Sequence, residues 1–263
     1  MQPLSPTRAG HLAGRTILVT RPADQSQEVA RALRRRGAIV LVAPAIAIAP
    51  APSAALTRAL RDLADGHYEW LTLTSRATVD VLASRLGPRD VSAKVAAVGE
   101  GTAEAYRRWS RRAPDLVPPR FTTAALARAF PRGSGRVLCA RADIAPAGLE
   151  AALAAKGWTP TRVDAYRTRM LRSLPPDTRA ALREGRVDAV TFTSASTVRG
   201  FVGALGAVKG NPKVVCIGPV TAREARAHGF TVATVATPHT MEGLEDALER
   251  AFTPRGRRAT IGR

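Results

Sequence analysis

The chain is poor in the groups that most often carry chemistry. Among its 263 residues are two cysteines, four histidines and only 5% aromatic residues. It contains no Cys-x-x-Cys, no His-Glu-x-x-His and no histidines at metal-ligand spacing, so no zinc framework is expected. No strand-like run leads into Gly-x-Gly-x-x-Gly, and no Gly-x4-Gly-Lys-[Ser/Thr] occurs, which argues against a nucleotide cofactor. No serine has a histidine and acid partner by motif. No apolar run reaches the roughly 20 residues of a membrane helix. The longest, AIVLVAPAIAIAPAP (38–52), is broken by Pro44, Pro50 and Pro52. The first residues lack an apolar leader-type stretch, so no signal peptide is expected and a cytoplasmic location follows. Cys139 and Cys216 lie in RVLCA and KVVCI, apolar strand-like runs that suit inert buried thiols.

Acidic residues are also scarce. Lys plus Arg number 40 against 21 Asp plus Glu, a net charge of +19. Five arginines of this excess lie in the end segments 1–13 and 253–263, which leaves +14 on the body. Such a balance fits a polyanionic partner: nucleic acid, an anionic membrane surface or a polycarboxylate or phosphate substrate. A GC-rich coding bias toward arginine accounts for it equally well.

What the chain does have is a repeat. GRTILVTRPADQSQEVARALRRRGAIV (14–40) resembles GRVLCARADIAPAGLEAALAAKGWTP (135–160). WLTLTSRATVDVLASRL (70–86) resembles AVTFTSASTVRGFVGAL (189–205). KVAAVGEGTAEAYRRWSRRAPDLVPP (94–119) resembles KVVCIGPVTAREARAHGFTVATVATP (213–238). The offsets are 121, 119 and 119 residues in one order, the mark of a duplicated unit. Each segment reads as a short apolar strand, a turn and an amphipathic helix. Strands alternating with such helices predict parallel sheets, hence an α/β fold of two doubly wound domains. Both end segments, 1–13 and 253–263, are short and polar and are expected to be disordered.

In parallel sheets ligands bind beyond the carboxyl ends of the strands. Those ends are Thr20-Arg21, Thr74-Ser75-Arg76, Gly99 to Thr102, Arg141 to Asp143, Thr193 to Ser196 and Gly218 to Thr221. They are built from hydroxyls, glycines and a few charges. Serine and threonine there are good helix caps. Helix N-termini and amides gathered on one rim also form an anion-binding surface. With no obvious nucleophile or base, catalysis on this scaffold would rest on positioning and electrostatics.

The motifs TRP (20–22), LTLTSRATV (71–79), VGEGTA (98–103), VDAYRT (163–168), FTSASTV (192–198), IGPVTAREARAHGF (217–230) and ATPHTMEGL (236–244) together resemble the uroporphyrinogen-III synthase family. That resemblance implies two flavodoxin-like domains joined by a two-stranded linker. One domain would be 14–46 with 172–252, the other 50–165, and the linker strands 43–49 and 164–170. It implies a cofactor-free and metal-free lyase that cyclises hydroxymethylbilane, inverting the last pyrrole ring and losing water. The bilane hydroxyl leaves, an azafulvene cation forms, and the last ring closes through a spiro intermediate. The resemblance makes Tyr166 the proton donor, a phenol that stays protonated at neutral pH. It places Thr74, Ser75, Gly99, Thr102, Ser194, Ser196, Gly218 and Thr221 along the substrate cleft. Arg21 and Arg76 add bidentate partners for substrate carboxylates. A monomer, with transient contact to hydroxymethylbilane synthase and no membrane partner, is expected.

Two other readings compete. The runs RALRRRG (31–37) and YRRWSRR (106–112) could serve a nucleic-acid-binding protein, but no recognition motif accompanies them. A non-catalytic tetrapyrrole-sensing protein could use the same scaffold.

Overall fold

A computed structural model describes residues 10–51, 53–205 and 210–253. The alternation of strand and helix runs along the described chain. The first part holds β1 (Thr16–Val19), α1 (Ala23–Arg35), β2 (Ile39–Val42), β3 (Ile46–Pro50), α2 (Ala54–Ala64), β4 (Trp70–Leu73) and α3 (Arg76–Ala83). After a 3-10 turn (Pro88–Asp90) come β5 (Lys94–Ala97), α4 (Glu100–Ser110), α5 (Thr123–Ala129), β6 (Arg136–Ala142), α6 (Gly148–Ala154) and β7 (Thr159–Met170). The last part holds α7 (Pro176–Arg183), β8 (Ala189–Phe192), α8 (Ala195–Ala204), β9 (Lys213–Cys216), α9 (Pro219–Ala227), β10 (Val232–Val235) and α10 (Met241–Phe252).

The chain divides into two units. One comprises the described residues through Ala47 and from Met170 onward; the other is Ile48–Arg169. The first unit holds a five-stranded sheet in the order β10-β9-β8-β1-β2, every neighbouring pair parallel. Counted by appearance within the unit this is the flavodoxin-like order 2-1-3-4-5. The second sheet runs β3-β7-β6-β4-β5, with β7–β6, β6–β4 and β4–β5 parallel. A parallel bridge from Ala96 to Leu116 extends it beyond β5. By the repeat, β6 matches β1, β4 matches β8 and β5 matches β9. Each sheet therefore draws strands from both copies of the repeat, and the repeat boundary near 130–135 falls inside the second unit.

The central strands are covered on both faces. All four residues of β4 and all four of β8 are buried. In the second unit Leu71 and Leu73 face the core that contains Leu60, Tyr106 and Leu138, while Trp70 faces the layer with Leu126, Phe130 and Leu149. In the first unit Val190 and Phe192 pack with Phe201 and Leu182, and Ala189 faces Ile17 and Leu248 across the sheet. The hydroxyls inside these strands are satisfied by neighbouring strand carbonyls. Thr191 Oγ1 donates to Leu18 O at 3.1 Å, Thr20 Oγ1 to Thr191 O at 2.7 Å and Thr72 Oγ1 to Leu138 O at 3.4 Å. A buried hydroxyl is tolerated only with such a partner.

The expectation of a structureless segment through residue 13 is corrected at its end. Leu12 is fully buried in the core with Val29 and Leu33, and Gly14 N donates to Gly37 O at 2.9 Å. A single leucine in an otherwise polar stretch gives no periodicity to read. Residues 1–9 and 254–263 lie outside the described residues, and the expectation for both end segments there goes with them.

One close approach in the first unit carries a testable consequence. A Cβ on Gly200 of α8 would stand 2.3 Å from Ala45 O and 2.8 Å from Ile46 Cγ2. Ala45 O also accepts from Leu171 N at 3.1 Å, so that carbonyl is held in place. Gly200→Ala gains about 1 kcal/mol of helix propensity but forces the helix off the carbonyl, an overpacking cost of about 1–3 kcal/mol or more. Urea unfolding should show a lower midpoint; a raised midpoint would contradict the packing.

Candidate functional site

In the second unit the carboxyl rim is formed by the turns after β4 and β5, the end of β6 and the last part of β7. The β4–α3 turn carries Thr74, Ser75 and Arg76, all half-buried. Ser75 caps α3, its Oγ accepting from Thr78 N at 3.2 Å. The Tyr166 hydroxyl donates to the same Ser75 Oγ at 2.9 Å. Tyr166 reaches it because β7 is irregular. Arg141 pairs with Asp164, but the next residue, Ala142, pairs with Tyr166. The skipped residue shifts the alternation, as a β-bulge does. Tyr166 then joins Val163 and Ala165 in one hydrophobic cluster instead of pointing to the opposite face. Asp143 fixes this stretch: its amide donates to Tyr166 O at 3.1 Å, and its Oδ1 accepts from Thr168 N at 3.0 Å.

Tyr166 is 7% exposed. Burial pushes its phenol above the ordinary tyrosine value, with Asp143 adding in the same direction; the Ser75 hydrogen bond and Arg141 act the other way. The phenol therefore keeps its proton at neutral pH and can only give it up, not take one.

Beside it lies a buried ion pair. Arg141, at the end of β6, donates through Nη1 to Glu150 Oε1 and Oε2 at 3.0 and 2.9 Å and to Pro146 O at 2.7 Å. Their side chains are 3% and 11% exposed. Arg162 approaches Glu150 at 3.9 Å. Gly99 caps α4 in extended backbone, and a Cβ there would meet the Phe121 ring at 2.7 Å. Thr102 in the first turn of α4 is 7% exposed. Glu100, a carboxylate at a strand end, pairs with Arg107 of its own helix. Arg76 faces α4: Glu104 is held below the usual carboxylate range first by its hydrogen bond to Arg108, with Arg107 and Arg76 adding.

In the first unit the rim repeats the arrangement with different partners. Ser194 caps α8, accepting from Thr197 N at 3.1 Å, and its Oγ lies 2.8 Å from Ser196 Oγ. Gly218 caps α9, and Thr221 in that helix's first turn is 4% exposed. A Cβ on Gly218 would come no closer than 3.7 Å, to the His239 ring. Arg21 is engaged within the unit, Nη2 donating to Gln25 Oε1 at 3.0 Å and Nη1 lying 2.8 Å from Met241 Sδ. A cavity bounded by Leu182, Phe201, Pro212 and Phe230 lies toward the start of β9 and away from this rim.

The rims thus bring together Thr74, Ser75, Arg76, Gly99, Thr102 and Tyr166 in one unit, and Arg21, Ser194, Ser196, Gly218 and Thr221 in the other. Thr78, Glu150 and the bulge that aims Tyr166 escaped sequence reasoning. The repeated Ser-x-x-Thr of 75–78 and 194–197 was the available signal for Thr78. Both cysteines are buried, and burial pushes their thiols up to about 11 for Cys139 and about 12 for Cys216, so neither is a nucleophile at neutral pH. The arginine runs have carboxylate partners: Arg36 pairs with Glu245 and Asp246, Arg107 with Glu100 and Arg108 with Glu104. Among the described residues no three His, Cys, Asp or Glu side chains could hold a metal ion, and no helix is long and apolar enough to cross a membrane.

The family model described as "Uroporphyrinogen-III synthase HemD" matches residues 27–246. A uroporphyrinogen-III synthase of Synechococcus elongatus is 31% identical over 256 residues, covering 91% of this chain and 96% of the relative. A porphyrin biosynthesis protein HemD of Ruminiclostridium josui is 29% identical over 90% of this chain and 48% of its own length. Among solved structures, a mutant uroporphyrinogen III synthase of Thermus thermophilus shares the fold with a TM-score of 0.61 at 22% identity, over 90% of this chain and 98% of that one. The Helicobacter pylori uroporphyrinogen-III synthetase gives the same TM-score, 0.61, at 18% identity over 92% and 100%. With a family model spanning most of its length and a relative above 30% identity along nearly all of it, the chain belongs to the uroporphyrinogen-III synthase family, enzymes of the lyase class.

Proposed function

We propose that this chain cyclises hydroxymethylbilane to uroporphyrinogen III with loss of water, and that Tyr166 supplies the proton on which the water departs. The observation that carries the role of Tyr166 is its placement: a phenol held protonated by burial, aimed by the β7 bulge onto the capped N-terminus of α3. Protonation of the bilane hydroxyl by Tyr166 Oη–H breaks the C–O bond and releases water. It leaves an azafulvene cation on the substrate and a phenolate on the protein. The last ring attacks, reopens and recloses inverted, and the proton lost as the pyrrole regains aromaticity returns to the phenolate. The protein is unchanged at the end, so no redox partner is required. Ser194, Ser196 and the amide-rich starts of α8 and α9 would take substrate carboxylates, as helix N-termini favour anions. Thr74, Arg76, Gly99 and Thr102 would serve the same end in the second unit, and Arg21, Gly218 and Thr221 in the first. Each unit would offer its own anion-seeking rim to the substrate carboxylates, and a monomer receiving the unstable bilane from hydroxymethylbilane synthase would suffice.

The assay is the disappearance of enzymically generated hydroxymethylbilane. An enzyme should speed its loss in proportion to protein concentration. A protein that only senses or sequesters the tetrapyrrole would slow its loss or leave it unchanged, and that result would reject the reading.

A further inference from the structure

Resting on that reading of Tyr166, we infer that Ser75 and Thr78 form a one-way hydroxyl relay that positions the phenol and turns to donate to it once its proton has left. Ser75 is then a positioning residue for Tyr166 and not one of the carboxylate-binding donors of the rim.

The hydrogen bonds fix the direction of the relay. Thr78 Oγ1 donates to Ala140 O of β6 at 3.3 Å. Its single proton is thereby committed, so the 3.0 Å contact between Ser75 Oγ and Thr78 Oγ1 is donated by Ser75. Ser75 Oγ in turn accepts from Tyr166 Oη at 2.9 Å and from Thr78 N at 3.2 Å. Every proton in the chain Tyr166 to Ser75 to Thr78 to Ala140 O points one way. The chain ends on a backbone carbonyl, which has no proton to give, so it cannot deliver protons to the site. It can only orient the phenol and respond when the phenol is ionised. When substrate binds, the Tyr166 O–H turns from Ser75 Oγ to the bilane hydroxyl; once that proton has left, Ser75 Oγ–H can swing from Thr78 Oγ1 to the phenolate while its oxygen still accepts from Thr78 N.

The duplicated turn in the other unit is an internal control. The residues matching Ser75 and Thr78 are Ser194 and Thr197, and the cap is the same, Thr197 N donating to Ser194 Oγ at 3.1 Å. There Thr197 Oγ1 folds back onto Ser194 O at 2.7 Å instead of reaching a neighbouring strand. Ser194 Oγ is shared with Ser196 at 2.8 Å, and the residue matching Ser196 is Ala77. Capping alone therefore does not demand the Thr78 to Ala140 contact. It occurs in the unit that holds Tyr166.

The experiment follows the phenolate absorbance of Tyr166 through an alkaline titration, together with turnover. The chain has three tyrosines, so subtracting the Tyr166→Phe trace isolates one of them. The charged groups acting on this phenol are Asp143 and Arg141, and both stay in every variant. Ser75→Ala removes the donor to the phenolate; the Tyr166 midpoint should rise and kcat should fall by about 10- to 100-fold, the worth of a hydrogen bond to a charged group. Ser75→Thr should restore both. Thr78→Val, close to isosteric, frees the Ser75 proton and should move the midpoint down, opposite to Ser75→Ala. It also keeps the test alive should Ser75→Ala fail to fold. A midpoint unmoved in Ser75→Ala, a Thr78→Val shift in the same direction as Ser75→Ala, or a midpoint that moves with kcat unchanged would each overturn the relay. The titration needs no substrate, whereas failure of the wild-type chain to consume bilane would instead reject the functional reading.

Discussion

Tyr166→Phe is expected to lower kcat by about 10²- to 10⁴-fold, the usual contribution of a positioned general acid, with little change in KM. The substitution removes one oxygen. The ring keeps its place in the cluster with Val163 and Ala165, and Ser75 Oγ keeps its bond from Thr78 N. Loss of the Tyr166 to Ser75 hydrogen bond costs about 1 kcal/mol of stability, too little to unfold the unit. A fall in kcat and kcat/KM together, with the fold intact, marks an interaction made in the transition state. The pH dependence separates the two proteins further. Burial holds the folded-state phenol above its unfolded value. Its contribution to stability is therefore complete below the unfolded tyrosine pKa near 10 and is lost as pH rises through the still higher folded value. Wild type should lose stability relative to Tyr166→Phe only in that alkaline window. Parallel kinetics in the two proteins at neutral pH would remove Tyr166 from the chemistry.

Glu150→Ala should be strongly destabilising in the second unit. Arg141 is 3% exposed, and its Nε already has no partner among the described residues. Removing Glu150 leaves Pro146 O as the acceptor of Nη1 among the described residues, with Arg162 close by. Breaking a buried pair from one side costs about 3–5 kcal/mol, on the order of 10 °C in the thermal midpoint for a protein of this size. The double change Arg141→Met with Glu150→Leu should recover most of that loss, because a buried ion pair gains little over apolar residues of similar volume. Glu150→Ala and the double variant sharing one midpoint would show that the pair is not what holds α6 on β6.

Much of this architecture is readable from the chain. The duplicated strand-turn-helix segments give parallel sheets, and the Ser and Thr at strand ends give caps, because both are local in sequence. Ser75 and Ser194 cap their helices as their positions require. The hydroxyls that look like one polar run in TFTSAST serve separate ends: Thr191 bonds across the sheet, Ser194 caps, and Thr197 closes its own turn. Illegible were the facts that depend on distant pairing. The bulge that turns Tyr166 toward Ser75 arises from the register of β7 on β6, not from the residues VDAYRT themselves. The Arg141–Glu150 pair looks like two ordinary surface charges until α6 covers it. Arg21 reads as a lone charge in TRP, yet its guanidinium is oriented by Gln25 and Met241, the latter 220 residues away.

The isomer composition of the product, measured against protein concentration, tests the central claim most directly. Hydroxymethylbilane closes unaided to isomer I without inverting its last ring, so the protein must compete with that closure. After oxidation and separation, the fraction of isomer III should climb from none toward the whole product as wild-type protein is added, and should climb far less steeply with Tyr166→Phe. Isomer I alone at every protein concentration would contradict the account.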